Sequence, residues 1–385
     1  SDEAMIPALQ RCGVPREEAV GYGIVGCVGA CVPGRMQGVT AGGHINMAKA
    51  LELALNAGRS TVTGKQVGEA TPDPARFESF DDLWDAYRRQ VQYLAGLNML
   101  AAVVAGEAQK RGGHCPLASA LLDDCLTARR DLVAGGTRYN LPGIAIYGPT
   151  NAYDGLAAAR KHVCETGRVS WAELRDALAS NWQDAEDLRQ LFAEQTPRFG
   201  NGAGEADAWA QRINALHAEF CYQHVDSRGG RFTCGVWPVE AHVGWGKWTG
   251  ATPDGRRAGE PLVDGVGACQ GQDRHGPTAL LRSVAALDAV NNWPAGNTCN
   301  IRFSASGLDG EESLTLMEAL AATFFQLGGM QLQVNVVDSD TLRAAQASPE
   351  QYRDLIVRVA GFSAYFTQLS PAVQEEIISR TAHGA

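Results

Sequence analysis

The chain has 385 residues, 45% of them hydrophobic, enough to build a large core in one domain or in two to three ordinary ones. Its 43 acidic and 33 basic residues leave a net charge of −10, which argues against a nucleic-acid-binding surface. No uninterrupted apolar run is long enough for a bilayer, and the opening SDEAMIPALQRCG lacks the basic and apolar regions of a signal peptide, so no membrane and a cytoplasmic location are expected.

In chain order, the first segment reads as a helix, a turn at Pro15, a second short helix and a glycine-rich loop, YGIVGCVGACVPG (22–34). HINMAKALELALNAG (44–58) has helical periodicity and stops at Gly58. Residues 80–113 carry apolar side chains at three-to-four spacing and predict a long helix. Residues 154–167 and 170–182 predict two more helices, the second N-capped by Ser170. TLMEALAATFFQLGG (315–329) predicts a helix and QLQVNVVD (331–338) a buried strand after it. A helix is expected over 348–360, running into RVAGFSAYF (358–366), an apolar strand or turn with Gly361 at its centre. SPAVQEEIISRTAHGA (370–385) predicts a closing helix. With strands between the helices, the alternation predicts α/β architecture with parallel strands.

Several common devices are absent. There is no GxGxxG after a strand, no GxxxxGK[ST], no GxSxG and no HExxH. The ten cysteines contain no CxxC, and the eight histidines show no metal-like spacing, so no metal site is expected. Most of the thiols read as packing residues. The long loop GATPDGRRAGEPLVDGVG (250–267) reads as functional rather than as irregular surface.

What remains is Cys27 in a tight glycine loop and Gly361 in a C-terminal loop. A glycine Cα radical is stabilised by its flanking amides, and no side chain prevents the centre from flattening. A thiol can pass a hydrogen atom to such a radical, and the resulting thiyl can abstract hydrogen from an unactivated C–H bond. On these two loops the chain resembles the glycyl radical enzymes, which include pyruvate formate-lyase and the diol, glycerol and choline lyases. RVAGFSAYF resembles the radical loop and YGIVGCV the cysteine loop; PGRMQG, AGGTRYNLPG, GATPDGRRAGEPLVDGVG, GPTALLRSVAALD and GGMQLQVNVVD follow in family order.

The resemblance implies the C-terminal portion of a ten-stranded α/β barrel: a half-barrel with surrounding helices, divided into a barrel portion at 1–250 and a glycyl radical segment at 251–385. It implies a Gly361 radical and a Cys27 thiyl as catalytic centres, whose loops meet inside the fold. Arg358, Ser363 and Tyr365 are expected to support the radical loop. Arg35, Gln333 and Asn335 are candidate substrate contacts, Arg35 being equally readable as a surface loop charge. No cofactor is expected to be bound. The radical would be installed by an activating enzyme of the radical S-adenosylmethionine class, and the enzyme would be oxygen-sensitive. The family's chains are about twice as long, so an N-terminal half from the same gene or a separate subunit is an expected partner, and a homo-oligomer is expected.

The cysteine loop departs from the dehydratase pattern. There the loop reads Cys-Val-Glu, and the Glu is the general base; here that position is Gly29, which cannot move a proton. Cys31, four residues past Cys27, reads as a packing thiol. A lyase that cleaves a C–O, C–N or C–C bond is the favoured reading. A synthase adding a substrate to fumarate, a formate acetyltransferase-like enzyme, and a non-catalytic or spare-part half protein are the alternatives.

Overall fold

A strand buried on both faces belongs in a parallel sheet, because crossover helices cover the sheet. PGIAIY, at Pro142–Tyr147, is such a strand, with every residue buried. The computed structural model describes residues 1–37, 40–202, 204–305, 308 and 310–383. Its strands are β1 (Gly23–Val25), β2 (Gly29–Cys31), β3 (Thr40–Asn46), β4 (Pro142–Tyr147), β5 (Thr233–Gly235), β6 (Asn300–Phe303), β7 (Gln333–Val336), β8 (Ile356–Arg358), β9 (Ser363–Tyr365) and β10 (Ala382–His383). β3, β4 and β5 form one parallel sheet, in which Asn46 pairs with Tyr147 and Ile144 with Cys234. β10, β6 and β7 form a second, with Arg302 paired to Asn335. A parallel bridge between Val236 and Asn297 links the two sheets into one wall. The expected α/β organisation with parallel strands is therefore present.

Two antiparallel hairpins, β1–β2 and β8–β9, complete the strand set. Most buried apolar side chains belong to one large core, from Ala4 to Met330. A smaller core gathers Val337, Leu342, Val357, Val359, Phe366, Val373 and Ile377 around the second hairpin. The small core also takes in Val243, while the segment from 251 to 330 packs its apolar side chains, such as Leu280, Trp293 and Ile301, into the large core. Buried charges tie the small unit to the rest: Arg380 reaches Glu376 at 2.8 Å and Asp264 at 3.1 Å, and Glu376 meets His242 at 3.2 Å.

Several helices differ from their sequence expectation. The long helix is Phe80–Gly112, started by a Ser79–Asp82 capping box. By length and composition it could cross a membrane, a property an uninterrupted-run criterion passes over. Its Leu83, Tyr87, Val91 and Met99 are buried, and it packs on β3 and on the helix Met47–Ala54. Residues 44–46, expected as helix, belong to β3, and Asn46 then caps the helix by accepting from Lys49 N at 2.8 Å. The helix expected over 154–167 begins earlier, at Pro149, and its last turns, Arg160–Glu165, widen into π geometry.

The largest correction is at 348–360. A single turn at Pro349–Gln351 replaces the helix, and Ile356–Arg358 is a strand. Val357 and Val359 are buried while Ile356 is exposed, an alternation of period two that fits β-branched residues in a hairpin. The closing helix is Pro371–Ser379; Ala382–His383 then adds to the edge of β6. Residues 384 and 385 of that expected helix, and Gly38 of the PGRMQG motif, lie outside the described residues.

Candidate active site

The β1–β2 hairpin places Cys27 at its tip. Val25 pairs with Gly29, so Gly26, Cys27 and Val28 form the turn, and Gly26 takes a φ of +62°. The β8–β9 hairpin pairs Arg358 with Ser363 and leaves Val359 to Phe362 as its turn, closed by a Val359 N–H to Phe362 carbonyl bond of 2.9 Å. Gly361 occupies the left-handed region there, at φ +96°.

The two tips touch. A Cβ built on Gly361 would lie 2.2 Å from Cys27 Cβ and 2.6 Å from its Sγ. The position of an absent Cβ is also the direction of one glycine Cα–H bond, so one of the Gly361 hydrogens points at the Cys27 side chain. Both the backbone angle and this contact demand glycine. Gly296, at φ +94°, lets a third backbone segment close on the same tip: a Cβ there would fall 2.2 Å from the Val28 carbonyl.

Strand β7 holds the glycine loop. Gly361 N–H donates to Gln333 Oε1 at 2.9 Å. Asn335 pairs twice with the Arg358 backbone, accepting from its N–H at 2.7 Å and donating to its carbonyl at 2.9 Å. These amides, expected as substrate contacts, thus spend their polar atoms on the loop; Gln333 Nε2 keeps no partner among the described residues. Arg358 Nη1 donates to Ser363 Oγ at 3.2 Å across the hairpin. Tyr365 is exposed at the far end of β9, opposite Ile356, and its side chain is not brought to the turn. Arg35 is held away in a charged cluster, with Glu18 at 2.9 Å and Asp123 at 3.3 Å, which fits the surface-charge reading rather than the substrate one. Cys31 is buried in the large core.

Burial pushes the Cys27 thiol up, with the Arg358 charge opposing it. A hydrogen-atom donor must hold its S–H, and this environment holds it. Beside Cys27 lies a cavity of about 190 Å³ lined by Val25, Gly26, Val28, Gly29, Trp237 and Ala295. Trp237 lies over Gly235, where a Cβ would fall 1.6 Å from its ring. Gly29 therefore faces the cavity with no acid or base.

A polar pair that sequence reasoning passed over sits close by. The Tyr147 hydroxyl, at the end of β4, meets His44 Nδ1 on β3 at 3.0 Å, and Trp245 stacks on the Tyr147 ring at 5.2 Å. Burial pushes Tyr147 up to about 12, and the neighbouring Cys27 adds to the rise. Burial lowers His44. The available signal was positional: both residues lie near the C-terminal ends of parallel strands, where α/β sites gather.

A family model described as "Pyruvate formate lyase-like" matches residues 1–246, and one described as "Glycine radical" matches residues 262–367. The trans-4-hydroxy-L-proline dehydratase of Clostridioides difficile is 34% identical over 383 residues, 98% of this chain and 48% of that protein. An isethionate sulfite-lyase of Oleidesulfovibrio alaskensis is 35% identical over 391 residues, 100% of this chain and 47% of that protein. The structure of a glycerol-bound, B12-independent glycerol dehydratase from Clostridium butyricum superposes with a TM-score of 0.96 at 35% identity, covering 100% of this chain and 48% of that one. The chain spans about half the length of these relatives.

Proposed function

As the chain belongs to the pyruvate formate-lyase-like family of glycyl radical enzymes, we propose that it carries the radical half of a lyase acting on a small substrate. Gly361 stores the radical and Cys27 transmits it. The observation that carries this reading is the Gly361 Cα–H direction, which meets Cys27 Sγ.

The steps balance as hydrogen-atom transfers. An activating enzyme of the radical S-adenosylmethionine class removes one hydrogen atom from Gly361. Cys27 S–H gives its hydrogen atom to Gly361 and becomes a thiyl radical. The thiyl takes a hydrogen atom from a substrate carbon, and the group on the neighbouring carbon leaves. The product radical takes the hydrogen atom back from Cys27, and Cys27 regains one from Gly361. The Gly361 N–H bond to Gln333 and the two bonds between Asn335 and the Arg358 backbone keep the loop in register throughout.

Elimination next to a hydroxyl needs that proton moved, and Gly29 cannot do it. Tyr147 and His44 move it instead. Tyr147 accepts the substrate proton as its own passes to His44 Nδ1. The pair supports this through the 3.0 Å contact and the lowered His44, which is neutral and able to accept. A second reading, radical C–C bond formation or cleavage, draws on Gly29 and on the apolar lining of Val25, Val28, Trp237 and Ala295.

The remaining wall of the site is supplied by an N-terminal half. Tyr93, Leu97, Leu100 and Val104 form an exposed apolar stripe on the helix Phe80–Gly112, and Ile24 and Val25 are exposed beside Cys27. These are the faces on which that half packs.

The test is anaerobic activation of the complemented protein. A glycine-centred EPR doublet, broadened by carbon-13 at the glycine α-carbon and lost on air exposure with cleavage at residue 361, is expected. Absence of any glycine-centred signal with an active partner enzyme overturns the reading.

A further inference from the structure

His217 and Cys221 lie one turn apart on the helix Gly204–Tyr222, and Cys234 faces that helix from β5. All three are fully buried. His217 Nε2 stands 3.4 Å from Cys221 Sγ, and the three ligand atoms fall within 4.8 Å of one another. From this cluster we infer a binding site for a thiolate-seeking divalent metal, zinc above all, between the outer helix and the strand behind the active-site cavity.

The dimensions fit. Zinc binds sulfur at about 2.3 Å and imidazole nitrogen at about 2.0 Å, so the tetrahedral N···S edge is about 3.6 Å and the S···S edge about 3.8 Å. The observed 3.4 Å contact is close to the first of these. The charges fit as well. Binding releases two thiol protons to solvent, and two thiolates with one neutral imidazole cancel the charge of the ion, as a buried site requires. The ligand types select against magnesium and calcium, which take oxygen.

A cavity of about 370 Å³ is walled by Arg11, Cys12, Leu141, Tyr222, Arg231 and Thr233. Tyr222 and Thr233 are the chain neighbours of Cys221 and Cys234, so the cavity lies alongside the helix and strand that carry the cluster. Half-buried Cys12 stands at that wall, outside the three-ligand cluster, which leaves the fourth position to a bound water. The helix repeat hides this site from motif searches: the His and Cys sit four apart, and the third ligand arrives from another element.

The site has a mechanical consequence. The Cys234 carbonyl accepts from Ala295 N–H at 3.0 Å, and β5 runs on to Trp237; Ala295 and Trp237 both line the cavity beside Cys27. A metal clamping β5 to the helix would stiffen that wall. This proposal does not depend on the radical reading, and its test uses neither radical nor substrate.

The experiment is titration of the reduced, chelator-treated protein with cobalt(II) under anaerobic conditions, followed by zinc competition. One cobalt per chain is expected, with sulfur-to-cobalt charge-transfer absorption and a tetrahedral visible band, both displaced by zinc. Cys221→Ser and Cys234→Ser should each remove the charge-transfer band, and Cys299→Ser, at a buried thiol elsewhere, should leave it. Zinc should raise the Tm of the parent protein and not that of the Cys234→Ser variant. Absence of charge-transfer absorption in the parent protein overturns the proposal without any variant having to fold. So does an unchanged band in both cluster variants. Formation of a Cys221–Cys234 disulfide in air, with no metal uptake by the reduced form, assigns the pair to thiol–disulfide chemistry instead and also overturns it.

Discussion

Cys27 and Cys221 carry the same thiol in the same α/β scaffold, and their surroundings pull them in opposite directions. Cys27 stands at a hairpin tip, half-buried, where desolvation dominates and keeps the proton on sulfur. At Cys221 desolvation is also the largest influence, but a hydrogen bond from Cys234 and the His217 ring together outweigh it and draw the thiol down, while burial and that same hydrogen bond push its partner Cys234 up. A donor of hydrogen atoms must remain S–H; a metal ligand must become a thiolate. Burial alone therefore does not decide what a cysteine does. The partner offered to the sulfur does, and for Cys27 that partner is a glycine Cα–H.

The strongest way to break this contrast is to remove the glycine. Gly361→Ala forces a side chain onto a positive φ, which costs about 1–3 kcal/mol, and drives it into Cys27. Loss of all glycine-centred EPR signal, loss of all turnover and a lowered Tm are the expected results; a retained signal would place the radical elsewhere. Cys27→Ala separates storage from transfer. It should keep the glycyl signal after activation and abolish turnover, whereas Cys221→Ala should leave the signal intact.

Smaller effects come from proton handling. Tyr147→Phe and His44→Gln should each lower kcat by on the order of 10²–10⁴, with the EPR yield unchanged. Because burial lowers His44 from its ordinary value of 6.5, the pair is ready to accept a proton at neutral pH, and activity should fall only as the pH drops below that value. An acid limb unaltered in His44→Gln would exclude this pair as the base. Gln333→Leu leaves the Gly361 N–H unpaired, at about 1–3 kcal/mol, and should loosen the radical loop, read as a lower radical yield and a lower Tm. The smallest effect belongs to Arg35→Ala. Its exposed ion pairs lie away from Cys27, and turnover and EPR yield should match the parent.

Legibility followed the range of the interaction. Ser170 caps its helix with Glu173 three residues on, and the apolar face of residues 80–112 repeats within a few turns, so both were readable locally. Residues 348–360 misled because their helix-forming first half, SPEQYRDL, hides the alternation of Ile356, Val357, Arg358 and Val359. Whether that stretch becomes strand depends on pairing with Ser363–Tyr365 and on the small core behind it, neither of which is a local property.

Residue order was enough for the family sequence of motifs, for the parallel α/β organisation and for singling out Cys27 and Gly361, because glycine and cysteine in those loops have chemical uses that few residues share. Folding had to add that Gln333 and Asn335 hold the loop, that Arg35 is spent on Glu18 and Asp123, and that Tyr147 pairs with His44 near Cys27. It also had to add which of the ten cysteines lie together. One cause underlies all of these. A side chain's chemistry is written in its residue type, but its role is set by which atoms lie within hydrogen-bond distance, and strands far apart in the chain bring those atoms together.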